Sequence, residues 1–386
     1  MLKENEKYTK VLERAQQEAV RLAESKQSKE YGRLITDNVD ILIENIDKNK
    51  SLFGALVTSL TKKSVDSEQD IRLHRTDFKG GYSARSLDTK VTTPFFKNYF
   101  PKYANKESAF LTLATRERIK WTIEEGDNIK TRNRQVKRSF LVLLDAIQKG
   151  KIVSVECLIY IMGKLKRLSE HQQQIYDGAI DTADFSNIVN IDTVIKMLEE
   201  HFKEKLSSRL PVIAIYSIYQ ELFKTIKRYE GKKLSPLNVH TSADKHGYGD
   251  VEIWNKDESP FEMVEIKHNK PIERDMIFDI AKKTEKTTGV RYYILTTSKD
   301  NFLSRDEEEY INKFILRIKK ERGLEIIANG IIYSLKYYLR FIPDYKEFIR
   351  IYTSNLIADS KNSTEVKEFH IKKWQEILSK HKVSIE

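Results

Sequence analysis

The chain has 386 residues, 40% hydrophobic and 32% charged, which excludes a disordered polyelectrolyte and is long enough for two domains, each with its own apolar interior. Its 68 Lys and Arg stand against 57 Asp and Glu, a net +11, so a polyanion such as nucleic acid is the partner that charge favours, with added solubility as the plainer explanation. A single cysteine, Cys157, excludes an internal disulfide framework and a cysteine-based metal cluster, and fits a buried position in a reducing compartment.

The amino terminus is charged, and apolar residues at Tyr8, Val11, Leu12, Ala15, Ala19 and Leu22 predict an amphipathic helix from Leu2 to about Glu24. A second helix is expected from about Ile35 to Leu60, followed by a polar link and an irregular segment around the Gly80-Gly81 turn. Helical patterns return at Ala109–Glu125, Ser139–Lys149, Val153–Leu168 and Thr193–Leu206. Residues 1–205 therefore read as mostly helical, and no apolar stretch is long enough to span a bilayer, so a cytoplasmic protein without a membrane anchor is expected.

Beyond Pro211 the texture changes. The almost wholly apolar helix VIAIYSIYQELFKTIKRY precedes three strand-like runs, LNVHTS, GDVEIW and FEMVEIKH. A helix at 273–286, the strand RYYILTT, a helix at 305–322 and a strand LEIIA complete an α-β-β-β-α-β-α-β order. The expected class for 206–386 is α+β or α/β, with a central mixed sheet flanked by helices. The aromatic-rich tail IIYSLKYYLRFIPDYKEFIRIY is expected to pack on that core or form an interface.

A hairpin with a four-residue loop, Lys256 to Ser259, sets Asp250 directly opposite Glu265, and the period of two puts Lys267 on the same face. Two opposed carboxylates repel unless a cation lies between them. Mg²⁺ meets that demand, since it prefers oxygen and needs only one or two carboxylates from the protein. Val264 and Ile266, on the other face, anchor the pair on packed core.

Asp250, fourteen intervening residues and Glu265-Ile-Lys267 resemble the PD-(D/E)XK nuclease motif, although Gly249 stands where that family often has proline. The resemblance implies the family's α-β-β-β-α-β core, with Asp250 and Glu265 as ligands of catalytic Mg²⁺ and Lys267 assisting the water. Glu221, on the apolar helix, resembles the extra acidic ligand that some members contribute. Asp77-Phe-Lys79, Asp88-Thr-Lys90, Asp344-Tyr-Lys346 and Glu365-Val-Lys367 also satisfy the acid-x-lysine pattern, but they lack the alternating strand context. Glu252 shares the face of Asp250, as a supporting partner or, the preferred reading, an exposed strand residue. His240, His246 and His268 offer a rival imidazole site for zinc or another transition metal, without tight ligand spacing.

The stretch HRTDFKGGYSARSLDTKVTTPFFKNYFP, with AFLTLATRERIKW after it, resembles the SacI-type restriction endonucleases, as does the placing of the Asp250–His268 block far downstream. That resemblance implies a type II enzyme of a bacterial or archaeal cell that cuts double-stranded DNA at a short site and is paired with a protective DNA methyltransferase. It makes 1–205 a recognition domain and 206–386 the catalytic domain, with Arg75, Lys79, Arg85, Lys90, Arg116 and Arg118 as candidate DNA contacts. A homodimer is expected from the two-fold symmetry of a palindromic target. The five cations between Ile129 and Arg138 read equally as phosphate contacts or as a solvated face. Junction resolution or repair nicking on the same core, and a non-catalytic basic DNA-binding protein, are the competing functions.

Overall fold

The computed structural model describes residues 2–25, 29–183, 189–237, 247–287, 290–362 and 365–382. They build a mixed α+β protein that divides into two compact units, Met1–Gln173 and Gln174–Glu386. Residues 174–205, grouped by sequence with the amino-terminal region, belong to the second unit. Among the described residues, no helix is long and apolar enough to cross a membrane.

In the first unit, α1 (Leu2–Glu24) buries Tyr8, Leu12, Ala15 and Ala19, the stripe expected of one amphipathic face. The single helix expected over 35–60 is two, α2 (Arg33–Glu44) and α3 (Ile46–Val65), interrupted at Asn45 and bent at Asn49, whose φ of −131° is not helical. The expected helix at 109–125 is not continuous either: only short turns form, at Ala109–Leu111, Leu113–Arg116 and Ile123–Gly126. Local side chains take the backbone groups that a continuous helix would use. The Asp88 carboxylate and Ser108 Oγ accept the N–H groups of Ala109 and Phe110, Thr115 Oγ1 bonds Ala109 O at 2.7 Å, and Thr122 Oγ1 accepts from Glu125 N. The remaining long helices are α4 (Arg134–Gln148) and α5 (Ser154–Ala183), whose residues after Gln173 belong to the second unit. Cys157 is buried, and burial pushes its thiol up to about 12.

The second unit continues with α6 (Ile191–Phe202), α7 (Arg209–Thr225), β1 (Lys233–Leu234), β2 (Val251–Trp254), β3 (Pro260–Lys267), α8 (Arg274–Lys283), β4 (Arg291–Thr296), α9 (Arg305–Arg322) and β5 (Glu325–Gly330). The carboxy-terminal helices are α10 (Ile331–Leu339), α11 (Tyr345–Asn362) and α12 (Glu368–Lys382). The expected strand LNVHTS lies, apart from Leu237, outside the described residues. Among those described, the sheet order is β1-β2-β3-β4-β5, antiparallel from β1 to β3 and parallel from β3 to β5.

Both faces of the sheet are covered, as parallel strands require. Val251, Ile253, Val264, Ile266 and Leu295 pack in one core with α7, α10 and α11. Met263, Tyr292, Ile294 and Ile326 pack in the other with Ile277 and Ile280 of α8 and Ile311 and Ile318 of α9. In the carboxy-terminal region, Tyr338, Phe348, Tyr352 and Trp374 are core residues, whereas Tyr333 and Tyr337 are exposed.

Candidate active site

The β2–β3 hairpin pairs Val251 with Val264, Glu252 with Met263 and Ile253 with Glu262, the register that extrapolates to Asp250 opposite Glu265. The turn differs from expectation. Trp254 pairs with Pro260, so residues 255–259 form a five-residue loop, closed by Asn255 N–H to Ser259 O at 2.9 Å. An irregularity between Ile253 and Trp254 leaves Phe261 unpaired, and this bulge offsets the extra turn residue.

The regular ladder ends at Val251. The Asp250 N–H bonds Val264 O at 2.8 Å, while its Oδ2 accepts the Ile266 N–H at 2.7 Å. That backbone donor fixes the Asp250 carboxylate at the end of β3, beside the residues that flank Ile266. Glu265 and Lys267 share the strand face facing α8 and α9, and the Lys267 ammonium donates to Glu265 Oε1 at 2.7 Å. Tyr292, directly across from Met263 on β4, lies among the acids. Its hydroxyl donates to the Tyr248 carbonyl, and burial, reinforced by the charges of Glu265, Asp250 and Glu252, pushes its pKa far up. It remains a neutral donor.

Glu252 is buried rather than exposed, a correction to the preferred sequence reading. Its Oε1 accepts the N–H groups of Tyr248, at 2.5 Å, and Gly249, at 3.2 Å, so it holds the chain that leads into Asp250. Gly249, where the motif that the sequence resembles often has proline, suits its surroundings. A Cβ there would lie 2.7 Å from Val264 O, and a proline would lose the N–H given to Glu252. Neither contact was legible from spacing. Glu262, on the other face of β3, is fully buried and accepts hydrogen bonds from Tyr219, Tyr229 Oη at 3.2 Å and Arg228 at 2.9 Å. It stabilises the packed side of the strand.

The donors offered by Asp250 and Glu265 are all hard oxygens, which suits a cation that keeps most of its water. Among the described residues no group of three or more His, Cys, Asp and Glu side chains is placed to hold a metal. Glu221 lies on α7, whose core residues pack against the opposite sheet face, and its buried carboxylate pairs with Lys224 at 2.5 Å. Nothing in its contacts brings it to Asp250. His268 bonds Ser207 Oγ at 3.1 Å and Thr297 Oγ1 at 3.0 Å. Its partners in the rival site, His240 and His246, lie outside the described residues.

The other acid-x-lysine segments are engaged differently. Asp77 is bonded by Arg75 and Arg118, and Asp88 is buried, accepting from Thr58, Thr93, Ser108 and Ala109. Burial raises its pKa against those bonds. Asp344 takes the Lys346 N–H, and Glu365 faces Arg209 at 3.8 Å. Of the six candidate DNA contacts in the first unit, Arg75, Arg85, Arg116 and Arg118 line a common cavity, while Lys79 and Lys90 are exposed outside its lining. Compared with known proteins, the chain matches no family model and no curated relative.

Proposed function

We propose that the chain is a Mg²⁺-dependent endonuclease of the PD-(D/E)XK kind, acting on double-stranded DNA as a type II restriction enzyme. In this reading it works as a homodimer in a bacterial or archaeal cytoplasm, alongside a DNA methyltransferase that protects the host's own sites. The order α7, β1, β2, β3, α8, β4 follows the α-β-β-β-α-β core that the motif implies, which supports a restriction-endonuclease-like fold for the second unit.

One observation carries the proposal: Asp250 is held by the Ile266 N–H between the two residues, Glu265 and Lys267, that form an ion pair on the same strand. Asp250 and Glu265 would hold the Mg²⁺, which when bound supplies an acidified water and neutralises charge on a phosphoryl oxygen. In this reading the Lys267 ammonium, now bonded to Glu265, would orient the attacking water or stabilise charge developing on the phosphate, a contact worth most in the transition state. Tyr292, bonded to the Tyr248 carbonyl, and Glu252, bonded to the N–H groups of Tyr248 and Gly249, hold the chain that enters Asp250. A net charge of +11 favours a polyanionic substrate.

The test is digestion of a mixed-sequence plasmid with Mg²⁺ and with EDTA. Discrete fragments in Mg²⁺ alone are expected, and sequencing their ends gives the site and the stagger. Preference for branched DNA would replace the restriction reading with junction resolution. Tight, salt-dependent binding without any Mg²⁺-dependent cleavage would replace it with a non-catalytic DNA-binding protein.

A further inference from the structure

The first unit holds an open cavity of about 630 Å³ lined by His74, Arg75, Arg85, Arg116 and Arg118, among others, within the range of about 300–1,000 Å³ usual for ligand clefts. Its guanidinium groups are not equivalent. Arg75 forks onto Asp77 at 2.9 and 3.1 Å and donates to Arg116 O at 2.8 Å, and Arg118 reaches the same carboxylate at 2.9 Å. One aspartate thus serves two arginines, and Glu117 in the wall is paired with Lys130. Arg85 and Arg116 are exposed, and their side chains make no hydrogen bond or ion pair with any described residue. The cavity therefore carries an uncompensated positive charge.

Its floor carries no charge. His74 is only 2% exposed and stacks on Trp121 with ring centroids 3.8 Å apart and planes 7° from parallel; neither ring nitrogen makes a well-formed hydrogen bond, although main-chain groups of Arg72, Thr115 and Glu117 lie close enough to favour its charged form. Both nitrogens are sealed from the cavity, so the stacked rings supply a rigid floor rather than a direct ligand contact. Burial holds the imidazole neutral, with its pKa down to about 4, so the guanidinium groups carry the charge of the cavity. Planar guanidiniums around a recess match a phosphate in charge and geometry.

We infer that this cavity seats one backbone phosphate of bound duplex DNA, gripped by Arg85 and Arg116, with Arg75 and Arg118 fixed as its walls by Asp77. The choice of DNA as partner rests on the nuclease reading, and the seat fixes register without reading sequence.

The test is fluorescence anisotropy of labelled duplexes with the full chain in Ca²⁺, so that binding is read without cleavage. R85Q/R116Q is compared with wild type and with K320Q, which removes an exposed charge in the other unit. The double variant is expected to bind at least tenfold more weakly, equally on every duplex, and to lower the slope of log affinity against log salt by about 1, the contribution of one phosphate, whereas K320Q leaves both unchanged. Equal affinity and slope for R85Q/R116Q overturn the inference, as does a loss confined to one sequence with the slope unchanged, which would indicate guanine readout. Inorganic phosphate binding to wild type as tightly as duplex, by calorimetry, would assign the cavity to a free phosphate instead. Mg²⁺-dependent cleavage is scored separately: its absence defeats the nuclease reading, while the anisotropy still decides the seat.

Discussion

The Asp250 carboxylate, rather than its main-chain carbonyl, accepts the Ile266 N–H at 2.7 Å. A side chain thus replaces a rung of the β2–β3 ladder at the point where regular pairing stops. The consequence is positional: an acid just outside β2 is tied to the middle residue of Glu265-Ile266-Lys267, and the three functional groups cannot drift apart without breaking a backbone hydrogen bond.

Asp250→Asn separates holding from chemistry. The amide oxygen can still accept the Ile266 N–H, so the thermal midpoint should move by no more than a few degrees. The lost charge should lower Mg²⁺-dependent cleavage by about a hundredfold or more. Plasmid cleavage and a melting curve on the same preparation check both halves, and full activity would remove Asp250 from the site.

On the proposed nuclease mechanism, Lys267→Ala should leave duplex affinity in Ca²⁺ nearly intact while cutting turnover by orders of magnitude, because it would delete a contact made in the transition state. Its ammonium is bonded to Glu265 at 2.7 Å, so Lys267→Arg, which keeps the charge, is the companion variant. If Lys267→Ala loses binding and turnover equally, the residue is structural.

Gly249→Ala places a methyl 2.7 Å from Val264 O. Relieving such a contact costs about 1–3 kcal/mol, and here the relief must come from the hairpin that carries the site. A lower urea midpoint together with reduced cleavage is expected. Wild-type stability for Gly249→Ala would show that the chain entering Asp250 is free to shift.

His74 predicts a pH dependence. Its folded pKa is lowered to about 4 from an ordinary 6.5, so the unfolded chain binds the extra proton first as the medium is acidified. The stability contributed is complete above pH 6.5 and is lost as pH falls towards 4, at about 1.4 kcal/mol per unit, or roughly 3 kcal/mol in all. His74→Phe, which keeps a ring against Trp121, should remove that slope in denaturant titrations. It should also stabilise the protein at neutral pH by relieving the unpaired nitrogens, and an unchanged slope would refute the assignment.

The hairpin was legible because alternation in VEIW and FEMVEIK reports which residues face a core, and register follows from that alternation. The turn was not: Glu258 adopts a φ of 61° and Phe261 bulges, features that no periodicity encodes. The segment 109–125 misled for a related reason. Its apolar residues suit a helix, but Asp88, Ser108, Thr115 and Thr122 satisfy the backbone by side-chain bonds. Glu252 looked solvent-facing because its partners are main-chain N–H groups of Tyr248 and Gly249, which have no sequence signature. Arg85 and Arg116 are 31 positions apart, and only the fold could bring them to one recess.

The unpaired Phe261 makes loop length and chemistry inseparable. Removing one residue between Asn255 and Ser259 while the bulge remains either tightens the turn or slips β3 by one position against β2, in opposition to its pairing with β4, and such a slip exchanges the two sides of the ribbon. Glu265 would then be driven into the aliphatic interior and Val264 brought out in its stead. A hairpin tip remote from the acids therefore acts as their spacer, and homologues that vary this tip must vary it together with the bulge.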